Sequence, residues 1–391
     1  MVNYYLYPDD WAYKEDGSTP SVLDGTDGTV RVHTPKFYGK SGSNGNKRWV
    51  RISLVKLDDS WVEIPELLID AYRNTVDNTV SATPKAVSVV NTTEAFRGGG
   101  NRAQFDEYLT TEPDTKDAFR SDLGKPRTNV SRANMRTYAT NAGSELLCYE
   151  YYKWIFYWNY VIEYANFNSQ AAYNAELTSD GYRQGGLGPG VTDWSNSATS
   201  WSGYNGTYPI TPCGYCNDIG NFTGIKDLVI PECTATNETD TVATKTFKVP
   251  RWRGFDNPFG DIWTNLDGVV IQRTAANEIS SVYTTTNKEE FTDVIGSKTI
   301  AGYEVAQDGY IKEFDLGETA EIIPSSCTGA SATTYICDYH SCNATSTELR
   351  TLLVGGDANF GGGAGLSCFS SSDDVGSAFS FVGFRTLNRV S

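Results

Sequence analysis

The side chains with chemistry to offer are few, and their spacing decides most questions against them. Cys213-Gly-Tyr-Cys216 and Cys337-Asp-Tyr-His340-Ser-Cys342 gather thiols and an imidazole, the ligand types of a closed tetrahedral zinc site. The two groups stand far apart and no finger signature accompanies them. Packed free thiols are therefore the favoured reading, with a late disulfide and a structural zinc as the others, and no metal or cofactor is expected. His33 and His340 are the only histidines, so HExxH sites and most histidine-activated nucleophiles have little to work with. His33 falls in a strand pattern and reads as structural. Gly39-Lys40-Ser41 has the ending of a phosphate loop, but Thr34 occupies the position of its first glycine, and no G-x-S-x-G occurs. The carboxylates are many and scattered, so the sequence singles out no pair for glycoside hydrolysis and leaves that chemistry open but unsupported. Asp24 to Thr29, DGTDGT, reads as two turns and not as a calcium loop.

Composition narrows the partners. The 391 residues are 39% hydrophobic and 13% aromatic, which suits a folded globular chain. A net charge of -16 repels phosphate backbones and anionic lipid, and no basic run locally reverses it, so neither nucleic acid nor membrane insertion is expected. The opening MVNYYLYPDDWAYKEDG lacks the basic and apolar regions of a secretory signal, which implies synthesis and folding in the cytoplasm and makes sequons such as Asn205-Gly206-Thr207 chance occurrences. The apolar run from Leu146 to Phe167 is interrupted by Glu150, Lys153, Asn159 and Glu163. Each charge at a bilayer centre costs about 2.5 to 3.5 kcal/mol, so the run is a core helix and not a span.

The elements that must position these residues follow from periodicity. TVRVH (29–33) and WVRISLVKL (49–57) alternate as strands, and KSGSNGNK between them reads as the turn of a hairpin. Ser131 and Ser144 stand as caps of two helices. The second helix carries a stripe of Leu147, Tyr151, Trp154, Ile155, Trp158, Val161, Ile162 and Ala165, with further aromatics off the stripe, so it is covered nearly all round. Beyond Thr178 short apolar runs, DLVIP, GVVIQ and LLVGG, alternate with Gly-, Asn- and Ser-rich stretches, as short strands joined by long ordered loops do. No linker or repeat divides the chain, so residues 24–391 read as one α+β domain preceded by an arm.

Residues 251–268, RWRGFDNPFGDIWTNLDG, fit neither period, yet space Trp252, Phe255, Phe259 and Trp263 among glycines and Asn or Asp. They read as buried anchors of a loop-built region, with an aromatic sugar platform as the other reading. This stretch, and the ending LLVGGDANFGGGAGLSCFSSSDDVGSAFSFVGFRTL (352–387), resemble the formylglycine-generating-enzyme branch of the C-type-lectin fold. VRVHTPKFYGK, VRISL, LLIDAY, NVSRANMRTYA, VIEYANFNSQ, RGFDNPFGDIW and VGFRTL, in that order, resemble blocks of bacteriophage fibre and virion-surface proteins on this fold, including those of crAss-like gut phages. The resemblance covers about Asp24 to Leu387 and implies a C-type-lectin-like, loop-rich fold with two helices and short antiparallel strands.

Enzyme chemistry does not carry over. The enzymes of that branch hold copper with a cysteine pair between the glycine pair and the terminal GFR, whereas Cys337 and Cys342 precede Gly355-Gly356 and only Cys368 follows. The EPN, QPD and WND triplets of lectin calcium sites are absent from the chain. The resemblance thus implies a non-enzymatic virion surface appendage, a head or tail fibre subunit, with an enzyme degrading host-surface polysaccharide as the alternative. It implies other virion proteins of the capsid or tail as partners, assembly into a homo-oligomer (dimer or trimer), and a host cell-surface glycan as the ligand class. Met1 to Leu23 reads as a docking arm or a first strand. The ligand-contacting segment is expected between the glycine pair and GFR, from Asp357 to Ser380, with Asp357, Asn359, Phe360, Phe369 and Asp373 as its projecting members.

Overall fold

One buried helix organises the molecule. The computed structural model describes residues 19–45, 47–99, 103–169, 210–231, 244–358 and 360–390. Of the expected arm Met1 to Leu23, only residues 19–23 belong to this set, and Asn205 and Asn359 lie outside it. The helix runs over Tyr149–Tyr152, widens to a π-helical segment at Lys153–Trp158, continues over Asn159–Tyr164, and ends at Ala165 in the left-handed conformation (φ 50°). Between Tyr149 and Tyr160 only Glu150 and Asn159 are not buried. The apolar stripe stops at Val161, because Ile162 is 42% exposed. Ser144 is not the cap. Glu145–Leu146 pairs instead as a strand with Thr386–Leu387, and the Ser144 hydroxyl donates to Asn388 and accepts from Arg31. The other helix, Arg132–Asn141, begins as its sequence foretells, with the Ser131 side chain accepting from the Asn134 N–H. Two short helices, Tyr108–Thr111 and Lys116–Arg120, were not anticipated.

The polar interruptions of the central helix are satisfied inside. Lys153 is fully buried and forms ion pairs with Glu150 (2.7 Å) and Glu321. Burial disfavours its charge, but the two carboxylates outweigh burial and raise its pKa.

The strands differ from the expected hairpin. β1 (Arg31–Thr34) pairs with β5 (Leu67–Asp70), while β2 (Phe37–Asn44) forms the hairpin with β3 (Lys47–Ser53), and β4 (Val62–Ile64) flanks β2. Most of KSGSNGNK is therefore strand. From Lys40 to Asn44 no apolar residue marks an alternation, and the strand is specified by contact: at Gly39 an added Cβ would lie 2.3 Å from the Trp154 ring, and at Gly42 2.3 Å from that of Trp49. β5 also pairs with Thr386–Arg389, so the first and last strands of the described chain share one sheet, in the order β1, β5, Thr386–Arg389, Glu145–Leu146.

The largest sheet is built on Trp263–Arg273, flanked by Ser280–Thr284 and Arg350–Val354, and continues through Phe369–Ser371 to Tyr339–Cys342. The runs GVVIQ and LLVGG fall in it, and DLVIP falls in the separate pairing of Gly224–Pro231 with Thr244–Trp252. The result is strand-rich and loop-rich with few helices. Irregular backbone at this depth leaves carbonyls without ladder partners, and buried guanidinium groups meet that need. Arg385, of the terminal GFR, donates to the carbonyls of Asp70, Ala71 and Asp256; Arg73 donates to Asn257, and Arg132 to Leu266 and Val269. Burial lowers the Arg385 pKa to about 9.

Candidate functional site

The segment between the two glycine signatures stands on a rigid root. Gly355 and Gly356 are both left-handed (φ 95° and 72°), and a Cβ at Gly356 would lie 2.9 Å from that of Ala364, so glycine is needed for conformation and for space. From there the chain is pinned to the loop that the aromatic anchors build. The Gly260 N–H donates to the Gly355 carbonyl (3.1 Å), the Ala358 N–H to the Asp261 carbonyl (3.0 Å), and the Trp263 indole to Asp357 Oδ2 (3.2 Å).

All four anchors lie inside. Trp252 (0% exposed) and Phe255 (1%) pack on Phe156 of the central helix with ring centroids 6.2 and 4.4 Å away; Phe259 (0%) and Trp263 (4%) are equally enclosed. Arg253, Gly254 and Asn257 turn the backbone there at positive φ.

From Trp263 an edge-to-face row of rings leads outward. Phe360 lies 4.9 Å from Trp263 and 5.9 Å from Tyr339, and Tyr339 lies 5.2 Å from Tyr310. Phe360, Tyr339 and Tyr310 are each half-buried, so the row begins in the core and ends at solvent. The turn Gly361–Gly363 lies along it, with Gly363 against Tyr339 and Tyr310. Nearby on the same segment, Phe379 and Phe381 stack with centroids 5.1 Å apart and both half-buried. Half-exposed rings with phenolic edges offer flat apolar area and hydrogen-bonding rims at little cost in conformational entropy, the composition of a binding face.

Of the residues singled out in the sequence, Phe360 belongs to this row and Asp373 is half-buried. Burial raises the Asp373 pKa, with Arg350 opposing. Two expectations are corrected. Phe369 is fully buried because it forms a strand between His340 and Val354, and Asp357 is 4% exposed because it turns inward to the Trp263 indole. Neither projects. Tyr310, Tyr339, Phe379 and Phe381 were missed. The alternation of Tyr339, His340, Ser341 and Cys342, half-buried and buried in turn, was the legible signal for the second of these.

Two buried polar groups fix the root. His340 Nδ1 lies 2.8 Å from the Gln307 carbonyl and Nε2 lies 2.9 Å from Glu304 Oε1. Both partners are acceptors, so both nitrogens carry hydrogen and the ring is an imidazolium. Burial opposes that charge, but hydrogen bonds with Cys327 and Glu304 prevail and push its pKa up to about 10. Glu304 also accepts from Ser371, which joins the root strand to the display segment. Asp338 Oδ2 accepts from the Ser367 N–H (2.8 Å) and hydroxyl (2.7 Å), and burial pushes its pKa up to about 7.

Among the described residues the thiols are dispersed through the core. The seven described cysteines are free and buried, and among the described residues no group of three or more His, Cys, Asp and Glu side chains is arranged to hold a metal ion. His340 faces Cys327 (Sγ to Nδ1, 3.8 Å), and the Cys337 thiol points to the Tyr335 carbonyl. A separate open cleft of about 720 Å³ is lined by Arg136, Glu145, Lys288, Glu289, Asn388 and Arg389. Its arginines are already engaged, Arg136 with Asp267 and Asp293 and Arg389 with Glu145.

No protein-family model matches this chain, and no curated protein matches its sequence. Among solved structures, "Major Tropism Determinant P3c Variant" aligns over 95% of this chain and 67% of its own, at 11% identity and a TM-score of 0.27. "Major Tropism Determinant U1 Variant" aligns over 95% and 73%, at 12% identity and a TM-score of 0.29.

Proposed function

We propose that this chain is a non-enzymatic bacteriophage virion protein, a head or tail fibre subunit of C-type-lectin-like fold, of the kind that crAss-like phages carry. Its loop-built terminal face attaches the particle to a host-surface ligand, and a glycan is the class that the face suits. The observation that carries this reading is the aromatic row, which runs from buried Trp263 through Phe360 and Tyr339 to Tyr310 and is half-exposed along its outer part. Attachment needs variable loops on an unyielding support, and the support is supplied by the Gly355-Gly356 root, the Trp263–Asp357 hydrogen bond and the His340–Glu304 pair. The residues that resemble phage fibre blocks are also those that close the fold: VRVHT in β1, LLID in β5 and FRTL at the last strand share one sheet.

The test is the double variant Tyr310→Ser with Phe360→Ser, introduced into the phage. Melting temperature and particle assembly are expected to hold within a few degrees, while adsorption to host cells falls at least about tenfold, since losing two stacked rings removes about 1.4 kcal/mol or more of binding. Unchanged adsorption by a folded variant refutes the assignment of the face. Shortening of host polysaccharide by the purified protein would replace attachment with the degrading-enzyme reading.

A further inference from the structure

The acidic balance of the chain is not uniform over its surface. Between Lys36 and Leu57 there is no acidic residue, and six cations, Lys36, Lys40, Lys47, Arg48, Arg51 and Lys56, fall within the β2–β3 hairpin and its flanks. The net charge of the whole chain is -16, so the remainder carries -22. This stretch overturns the expectation that nothing reverses the acidic balance locally; its cations are dispersed along the sequence, and strand pairing brings them together. Lys40 and Lys56 are matched by Asp58 and Asp59. Lys36, Lys47, Arg48 and Arg51 are exposed and have no ion-pair partner among the described residues, although Arg51 lies over the Trp49 ring at 4.6 Å.

Three further features belong to the same arm. Its base packs on the central helix at Gly39, and burial falls away along β2 until Ser43 and Asn44 are exposed, so the arm projects. β3 is an edge strand whose ladder is with β2 alone among the described residues. Directly after it, Leu54, Val55 and Leu57 are 51%, 61% and 64% exposed. Cations on a free edge are a common device against unwanted strand pairing. That device explains Lys47, Arg48 and Arg51, but not an apolar run left in water beside them.

We infer that the β2–β3 hairpin is a docking arm for a second copy of this chain, inserted against the acidic surface of its neighbour. Charge complementarity selects that occupant. Two copies at -16 repel unless a face of the opposite sign lies at their contact, and the hairpin supplies one. Two hairpins would repel each other, so each arm meets an acidic surface of the neighbouring copy, either reciprocally in a two-fold pair or head to tail in a closed ring.

The experiment is light scattering of the purified full chain at about 50 mM and about 500 mM salt, where screening of exposed charges differs severalfold. The chain is expected to form an oligomer of two or more copies at low salt and to dissociate as salt rises. The triple variant Lys47→Glu, Arg48→Glu, Arg51→Glu is expected to associate on the order of 100-fold more weakly with an unchanged melting curve, because its sites are exposed. A second variant, Leu54→Ser with Leu57→Ser, is expected to weaken association while keeping its salt dependence. A monomeric wild-type chain at all concentrations overturns the inference, as does a charge-reversed variant that assembles normally. So does a wild-type monomer that binds heparin without self-association, which would assign the arm to an anionic polysaccharide.

Discussion

Replacing His340 by glutamine should remove a pH-dependent part of the protein's stability whose sign and window follow from the site. His340 and Glu304 are both 0% exposed and 2.9 Å apart, and the second ring nitrogen donates to the Gln307 carbonyl. An imidazolium there is held well above its ordinary value of 6.5, at about 10. At about 1.4 kcal/mol for each tenfold change in proton affinity, the ceiling on the contribution is on the order of 5 kcal/mol. Breaking a buried ion pair costs about 3 to 5 kcal/mol, which is of the same size. Because the folded value lies above the unfolded one, the contribution is complete below pH 6.5, declines between pH 6.5 and about 10, and is gone beyond. Glutamine keeps a donor but no charge, and leaves Glu304 facing Ser371 and, at 3.8 Å, Arg273. Urea unfolding of wild type and His340→Gln at pH 6, 8 and 10 is the assay. The variant should be less stable by several kcal/mol at pH 6, with the gap narrowing to near zero by pH 10. With only two histidines in the chain, imidazole NMR gives an independent reading. A gap that does not change with pH, or a buried imidazole that titrates near 6.5, refutes the reasoning.

Two further outcomes follow from the same core. Trp263→Ala should destabilise the fold by about 3 to 5 kcal/mol in a denaturant titration. Trp263→Phe, which keeps a six-membered ring but loses the pyrrole part of the indole and its bond to Asp357, should cost no more than about half of that; equal losses would show that the indole's polar half, and not its remaining ring, carries the root. Asp338, whose carboxyl is pushed up to about 7 from an ordinary 3.8, favours the folded state when protonated, so its contribution is lost as pH rises between those values. Asp338→Asn should therefore gain on the wild type by up to about 4 kcal/mol between pH 4 and pH 8. A constant difference across that range would mean that the carboxyl is ionised in the fold.

Much of the scaffold was legible because it depends on side-chain type at short range. The Ser131 cap, the all-round apolar helix after Leu147, the strands DLVIP, GVVIQ and LLVGG, and the enclosure of Trp252, Phe255, Phe259 and Trp263 all follow from periodicity or from the cost of leaving large rings in water. Long-range pairing decided the rest. β1 seeks β5 and the last strand instead of the nearer β3, and Glu145–Leu146 becomes a strand because Thr386 and Leu387 arrive beside it from the far end of the chain. Phe369 and Phe360 are the same residue type nine positions apart. One is sealed between two strands and the other stands half in water, a difference set by which neighbours the fold brings to each. Charge shows the same division: the composition fixed a net of -16, but only the pairing of β2 with β3 gathers cations spread over twenty positions onto one projecting arm, because electrostatic potential depends on distance in space and not along the chain.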